Sequence, residues 1–105
     1  MVVTFEEMYL KELYETGATT DKKHRFQPEV VRKYRYCIKT LESASSIESL
    51  YQIKSLHYEM LKGKKKGVSS IRVNMQYRIE FTVKNEGTEP IITVCNILEL
   101  SNHYK

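Results

Sequence analysis

Ser70-Ile71-Arg72-Val73-Asn74-Met75-Gln76-Tyr77-Arg78-Ile79-Glu80-Phe81 reads as two strands joined by a turn. Over residues 68–74, Ile71 and Val73 fall on one side and Ser70, Arg72 and Asn74 on the other, the period of two that a half-buried strand needs. Tyr77, Ile79, Phe81 and Val83 then alternate with Arg78, Glu80 and Thr82. Asn74-Met75-Gln76 supplies the turn. The stretch predicts an antiparallel hairpin with one apolar face and one face of polar and charged side chains.

Working outward, residues 91–99 are strongly apolar and β-branched, which predicts a strand buried on both faces. Residues 85–90, with Gly87 and Pro90, read as the loop before it. Residues 56–61 predict a further strand with imperfect alternation. Toward the N-terminus the period becomes helical. Thr4 reads as an N-cap with Glu7 completing a capping box; Phe5, Met8, Tyr9 and Leu13 follow at helical spacing, and Gly17 is the stop. A second helix is expected from Pro28, with Val31, Tyr34, Ile38 and Leu41 on one stripe. Ser45 with Glu48 predicts a short third helix through Leu50 and Tyr51. The fold class is α+β: N-terminal helices packed on an antiparallel β-sheet, one domain over residues 1–105.

The chain has 105 residues, 41% of them hydrophobic, enough for one modest core. No apolar stretch approaches the roughly 20 residues of a membrane span. Glu6, Glu7, Lys11 and Glu12 interrupt the N-terminus, so no signal peptide is expected. Cys37 and Cys95 each sit in an apolar periodic segment without a CxxC pair. They read as buried thiols in a reducing compartment, and a cytoplasmic location is expected.

The net charge of +4 is unevenly spread. Lys54, Lys62, Lys64, Lys65, Lys66, Arg72, Arg78 and Lys84 oppose only Glu59 and Glu80, a local balance of +6 that leaves −2 for the rest of the chain. Such concentration suits a polyanionic partner, with Lys64, Lys65, Lys66 and Arg72 as RNA- or ribosome-binding residues. The plainer reading is a solubilising loop.

His24, His57 and His103 are far apart, and neither HExxH nor paired-cysteine spacing occurs, so no metal site and no cofactor are expected. Gly63 and Gly67 flank three lysines without a GxxxxGK[ST] motif, and a Ser-His-Asp hydrolase lacks its nucleophile elbow. Arg78, opposite the core stripe, reads either as a partner of Glu80 or another carboxylate, or as a phosphate clamp, because a guanidinium donates in a rigid fork. Lys62, at the end of a predicted strand, reads alone as solvated. His103 follows the last strand; it is either exposed or anchored at the sheet edge for proton transfer. Together these residue types fit one reaction. RNA is cut when its 2′-hydroxyl attacks the adjacent phosphate, and the protein must move two protons and stabilise the phosphorane. His, Tyr and Glu move protons; Arg and Lys hold phosphate.

The order Leu61-Lys62-Gly63, basic loop, residues 70–81, apolar strand, then Asn102-His103-Tyr104-Lys105 resembles the HigB toxins of the RelE/ParE toxin–antitoxin superfamily. Leu13-Tyr14-Glu15-Thr16-Gly17 and Leu41-Glu42-Ser43-Ala44 are similar to helices of that family, so the resemblance covers nearly the whole chain. It implies a compact α+β toxin that enters the ribosomal decoding site and cuts mRNA as an endoribonuclease, without metal or organic cofactor. It also implies a HigA-type helix-turn-helix antitoxin, with operator DNA reached only through that antitoxin. Lys62 matches the lysine of the family's Leu-Lys-Gly phrase, Arg78 the arginine after the hairpin aromatic, and His103 the terminal histidine. The family often carries a histidine two positions before that leucine; Glu59 stands there, with His57 two residues upstream. On a strand both point the same way, so either serves as candidate base. The family's Asp-Tyr-His ending is Ser101-Asn102-His103 here, with Tyr104 following as a further candidate. Two other functions compete: a ParE-like inhibitor of DNA gyrase, and a non-catalytic nucleic-acid-binding module.

Overall fold

The computed structural model describes residues 1–102. The chain order is β1 (Val2–Phe5), α1 (Met8–Thr16), α2 (Pro28–Ser43), α3 (Ile47–Leu50), β2 (Glu59–Met60), β3 (Ser69–Arg72), β4 (Arg78–Glu86) and β5 (Ile92–Ser101), with single 3-10 turns at Lys54–Leu56 and Gly63–Lys65. The five strands form one sheet in the order β1-β5-β4-β3-β2. Neighbours are antiparallel except β1 and β5, which run parallel, so the sheet is mixed.

The expected hairpin is present as β3 and β4. Asn74 shapes its turn, because its Oδ1 accepts from the backbone N–H of Gln76 and of Tyr77 at 2.9 and 2.7 Å. The second helix starts at Pro28 as its fixed φ suggests. It buries Val31, Tyr34, Cys37, Ile38 and Leu41, and the Tyr34 hydroxyl donates to the Leu10 carbonyl at 2.8 Å. Gly17, at φ +80°, closes α1 by donating to the Leu13 carbonyl, a left-handed position that favours glycine. These helices share one core with Ile71, Ile79, Phe81, Cys95 and Ile97 of the sheet.

Four expectations are corrected. Thr4 is no helix cap: it lies in β1, where Val3 and Phe5 are half-buried and Val2 and Thr4 exposed. The β-branched Val2-Val3-Thr4 run finds its partner in Val94 to Ile97, about ninety residues away, and long-range pairing overrides the local helical spacing. The α3 cap is Ser46, not Ser45; its Oγ accepts from the Ser49 N–H. The strand expected over 56–61 shrinks to Glu59–Met60. Leu56 enters the core from a 3-10 turn and His57 is left-handed at φ +45°. Finally, β5 is not buried on both faces. Cys95, Ile97 and Leu100 are buried while Val94, Asn96 and Glu99 are half-buried. The register shifts at Glu80/Phe81, leaving Leu98 as the extra residue of a bulge.

Burial pushes the Tyr9 phenol up to about 12 and the Cys37 thiol up to about 11, and it raises Tyr34 as well. A raised value means that the folded state keeps its proton to higher pH than the unfolded chain. The resulting stability is whole below the ordinary values of 9.0 for cysteine and 10.0 for tyrosine, and is lost as pH rises through the folded ones. Urea unfolding should therefore show a midpoint that falls progressively above about pH 9. A midpoint unchanged up to about pH 11 would contradict burial of these groups.

Candidate nucleic-acid interface on the polar sheet face

Residues directly opposite on antiparallel strands project to the same face. Glu59, Ser70, Glu80 and Glu99 thus form one row across four strands, and Arg72, Arg78 and Ser101 form the next. Of these, Ser70, Arg78, Glu80 and Ser101 are buried. Part of the polar face is therefore covered, and its buried charges must be satisfied from within the protein, while Glu59 is exposed and Arg72 and Glu99 are half-buried.

Arg78 is 9% exposed. Its Nε donates to the Ser70 hydroxyl at 2.8 Å, and its Nη2 donates to the His57 carbonyl at 2.5 Å and the Ser70 carbonyl at 3.4 Å. A Glu59 carboxylate oxygen stands 3.8 Å from the same Nη2. Arg72 lies directly across from it. Its Nε donates to the Asn74 carbonyl at 3.3 Å, its Nη1 approaches His57 Nε2 at 3.2 Å, and its Nη2 contacts the Met75 sulfur. None of these partners of Arg72 is a carboxylate. Like charges directly opposite repel, so the arrangement favours an anion between them. A cavity of about 220 Å³, lined by Arg72, Asn74, Met75 and Arg78, occupies that position.

Glu80, whose side chain is 5% exposed, pairs with Lys65, whose ammonium lies 2.9 Å from each carboxylate oxygen. This pins the Gly63–Lys65 turn over the sheet. A bond from the Leu61 N–H to the Val68 carbonyl at 2.8 Å closes the base of the loop. All four lysines of the run are exposed, but Lys65 is tied to the fold by its ion pair with Glu80.

The structure brings Arg78, Glu59, His57 and Arg72 together. His57 and Glu59 do not alternate on one strand as expected, because His57 belongs to the preceding turn. His103 and Tyr104 lie outside the described residues. Two members of the cluster escaped sequence reasoning, Ser70 and Glu80. Their available signal was position: each falls on the polar side of its strand, two residues from Arg72 and Arg78 respectively. Among the described residues no group of three or more His, Cys, Asp or Glu is placed to hold a metal ion, and no helix is long and apolar enough to cross a membrane.

Residues 3–92 match the family model of the HigB-like toxin, described as the RelE-like toxin of type II toxin–antitoxin system HigB. Toxin HigB-1 of Vibrio cholerae serotype O1 is 33% identical over 82 residues, which span 77% of this chain and 82% of that protein. A YoeB/ParE toxin from Agrobacterium tumefaciens superposes with a TM-score of 0.54 at 20% identity, over 99% of this chain and 100% of that one, which speaks for the fold.

Removing one partner of a buried charge exposes the other to the full cost of desolvation. Lys65→Ala should therefore destabilise the protein by about 1–3 kcal/mol, whereas Lys64→Ala and Lys66→Ala should stay within about 0.5 kcal/mol of the parent. Urea unfolding of the three variants checks this; equal stability of all three would make Lys65 a surface residue like its neighbours.

Proposed function

We propose a ribosome-dependent mRNA endonuclease activity for this chain, which belongs to the HigB-like family, the RelE-like toxins of type II toxin–antitoxin systems. A toxin of such a system has an antitoxin partner. We take that partner to be a HigA-type helix-turn-helix protein, through which alone operator DNA is reached, and the target to be mRNA on the ribosome in the cytoplasm.

The observation that carries the reading is the pair of opposed arginines with a carboxylate beside them. Arg78, already oriented by Ser70, presents its guanidinium to a phosphodiester, and Arg72 meets the same group from the neighbouring strand. Preorganised cations of this kind stabilise charge that grows on the phosphorane without reorganising during the reaction. Glu59, with a side chain 53% exposed, is close enough to Arg78 to accept the 2′-hydroxyl proton as that oxygen attacks phosphorus. The bond from phosphorus to the 5′-oxygen then breaks, and the leaving oxygen takes a proton from His103, with Tyr104 as the second candidate. The products are a 2′,3′-cyclic phosphate and a 5′-hydroxyl. Lys62, Lys64 and Lys66 supply backbone contacts to ribosomal RNA or mRNA.

Gyrase inhibition would leave the Arg72–Arg78–Glu59 cluster without a chemical task. Induction followed by mapping of mRNA 5′ ends, with translation running and blocked, separates the readings: translation-dependent cuts are expected, and their absence overturns the nuclease.

In single-turnover cleavage on programmed ribosomes, Glu59→Gln and His103→Ala should each lose roughly 10²–10⁴-fold while ribosome binding changes little. Arg78→Ala should lose about 10²–10³-fold, with Arg78→Lys only partly restored, since a point charge replaces a fork. Arg78 is buried, so its variants need an unfolding curve alongside. Wild-type rates for both Glu59→Gln and His103→Ala would remove the proposed acid and base.

A further inference from the structure

The sequence offers His57 as a base, yet its surroundings suit a different task. It is the one non-glycine residue with positive φ among the described residues, at +45°, a conformation that L side chains rarely adopt. That backbone twist ends the Lys54–Leu56 turn, with the His57 N–H donating to the Lys54 carbonyl at 3.1 Å. It also turns two groups of one residue toward two different strands. The His57 carbonyl accepts from Arg78 Nη2 on β4 at 2.5 Å. The ring Nε2 lies 3.2 Å from Arg72 Nη1 on β3. A guanidinium nitrogen can only donate, so in this contact Nε2 is the acceptor.

An Nε2 engaged in this way is poorly placed to take a proton from a 2′-hydroxyl. What it does is fix a distance. Arg78 is already held by Ser70, which is fully buried; among the described residues Arg72 is met by the Asn74 carbonyl, the Met75 sulfur and this ring. Of the charged groups near His57, Arg72 meets the ring and Arg78 the carbonyl, with Glu59 two residues along the chain and beside Arg78.

We infer that His57 is a positioning residue that sets the spacing of Arg72 and Arg78 so that both guanidinium groups meet the oxygens of one phosphodiester. The inference rests on the proposed cleavage of RNA at this site. The ring governs Arg72 and the carbonyl governs Arg78, so the two can be separated by substitution. Glycine keeps the left-handed backbone and the carbonyl but removes the ring. Asparagine tolerates the left-handed conformation and offers a side-chain acceptor. Valine, β-branched, disfavours that backbone and disturbs the carbonyl too.

The test combines a spectroscopic and a kinetic reading on the full chain. In ¹⁵N spectra the Nη–H signals of Arg72 and Arg78, the groups that meet the His57 ring and carbonyl, should both be shifted from the mobile-arginine position. His57→Gly should return the Arg72 signal to that position and leave the Arg78 signal in place. On programmed ribosomes His57→Gly should raise KM by about 5–10-fold with kcat nearly unchanged, the mark of lost phosphate binding, and His57→Asn should restore part of it. His57→Val should lower kcat as well, in the manner of Arg78→Ala. A loss of roughly 10² or more in kcat for His57→Gly would make His57 the base instead and overturn the inference. So would an Arg72 signal that does not respond to glycine. Arg78→Ala and Glu59→Gln run in parallel: if neither slows cleavage, the proposed site itself fails, whatever His57 does.

Discussion

A guanidinium buried on a sheet face must be satisfied by groups that the fold itself supplies, and Arg78 imposes that requirement on everything near it. The β3–β4 register brings Ser70 within reach of its Nε. The turn before β2 delivers the His57 carbonyl, and the two-residue β2 places Glu59 alongside. The same face meets a second buried charge, Glu80, by drawing the lysine loop down onto it. A register slip of one residue would send Arg78 and Glu80 into the apolar core. The hydrophobic alternation of Ile79 and Phe81 therefore fixes the site as firmly as it fixes the core.

What was legible in the sequence followed local periodicity. The β3–β4 hairpin and α2 repeat their apolar residues at two and at about 3.6 positions, and both are present. β1 was not legible, because Val2-Val3-Thr4-Phe5 becomes a strand only by pairing with β5, and its residues also fit the start of a helix. The segment around His57 was misread for a related reason. Leu56, Tyr58 and Met60 mimic a strand's alternation, but a residue with positive φ leaves no signature when it is histidine and not glycine. Within the site, Arg78 was legible because an arginine facing away from a core stripe invites explanation. Ser70 was not, because a serine on a polar strand face looks like a solvent contact until burial is known.

The lysine run shows why charge counting and site building are separate matters. Counted along the chain, residues 54–84 carry a balance of +6. In the fold, Lys65 is already matched to Glu80, and Arg78 has Glu59 nearby. The charge left to act at a distance belongs chiefly to exposed lysines, among them Lys62, Lys64 and Lys66. Exposed charges of this kind are screened within about 10 Å at ordinary salt and carry no fixed geometry. Arg72 and Arg78 have the opposite character: named hydrogen bonds hold each guanidinium in place, Arg78 buried and Arg72 half-buried, and a planar fork so held has the fixed geometry that a mobile ammonium lacks. Mobile charge and fixed charge thus belong to different residues, and Lys65 joins them: its side chain is still 45% exposed, yet its ion pair with Glu80 holds the basic loop against the sheet face that carries the arginines.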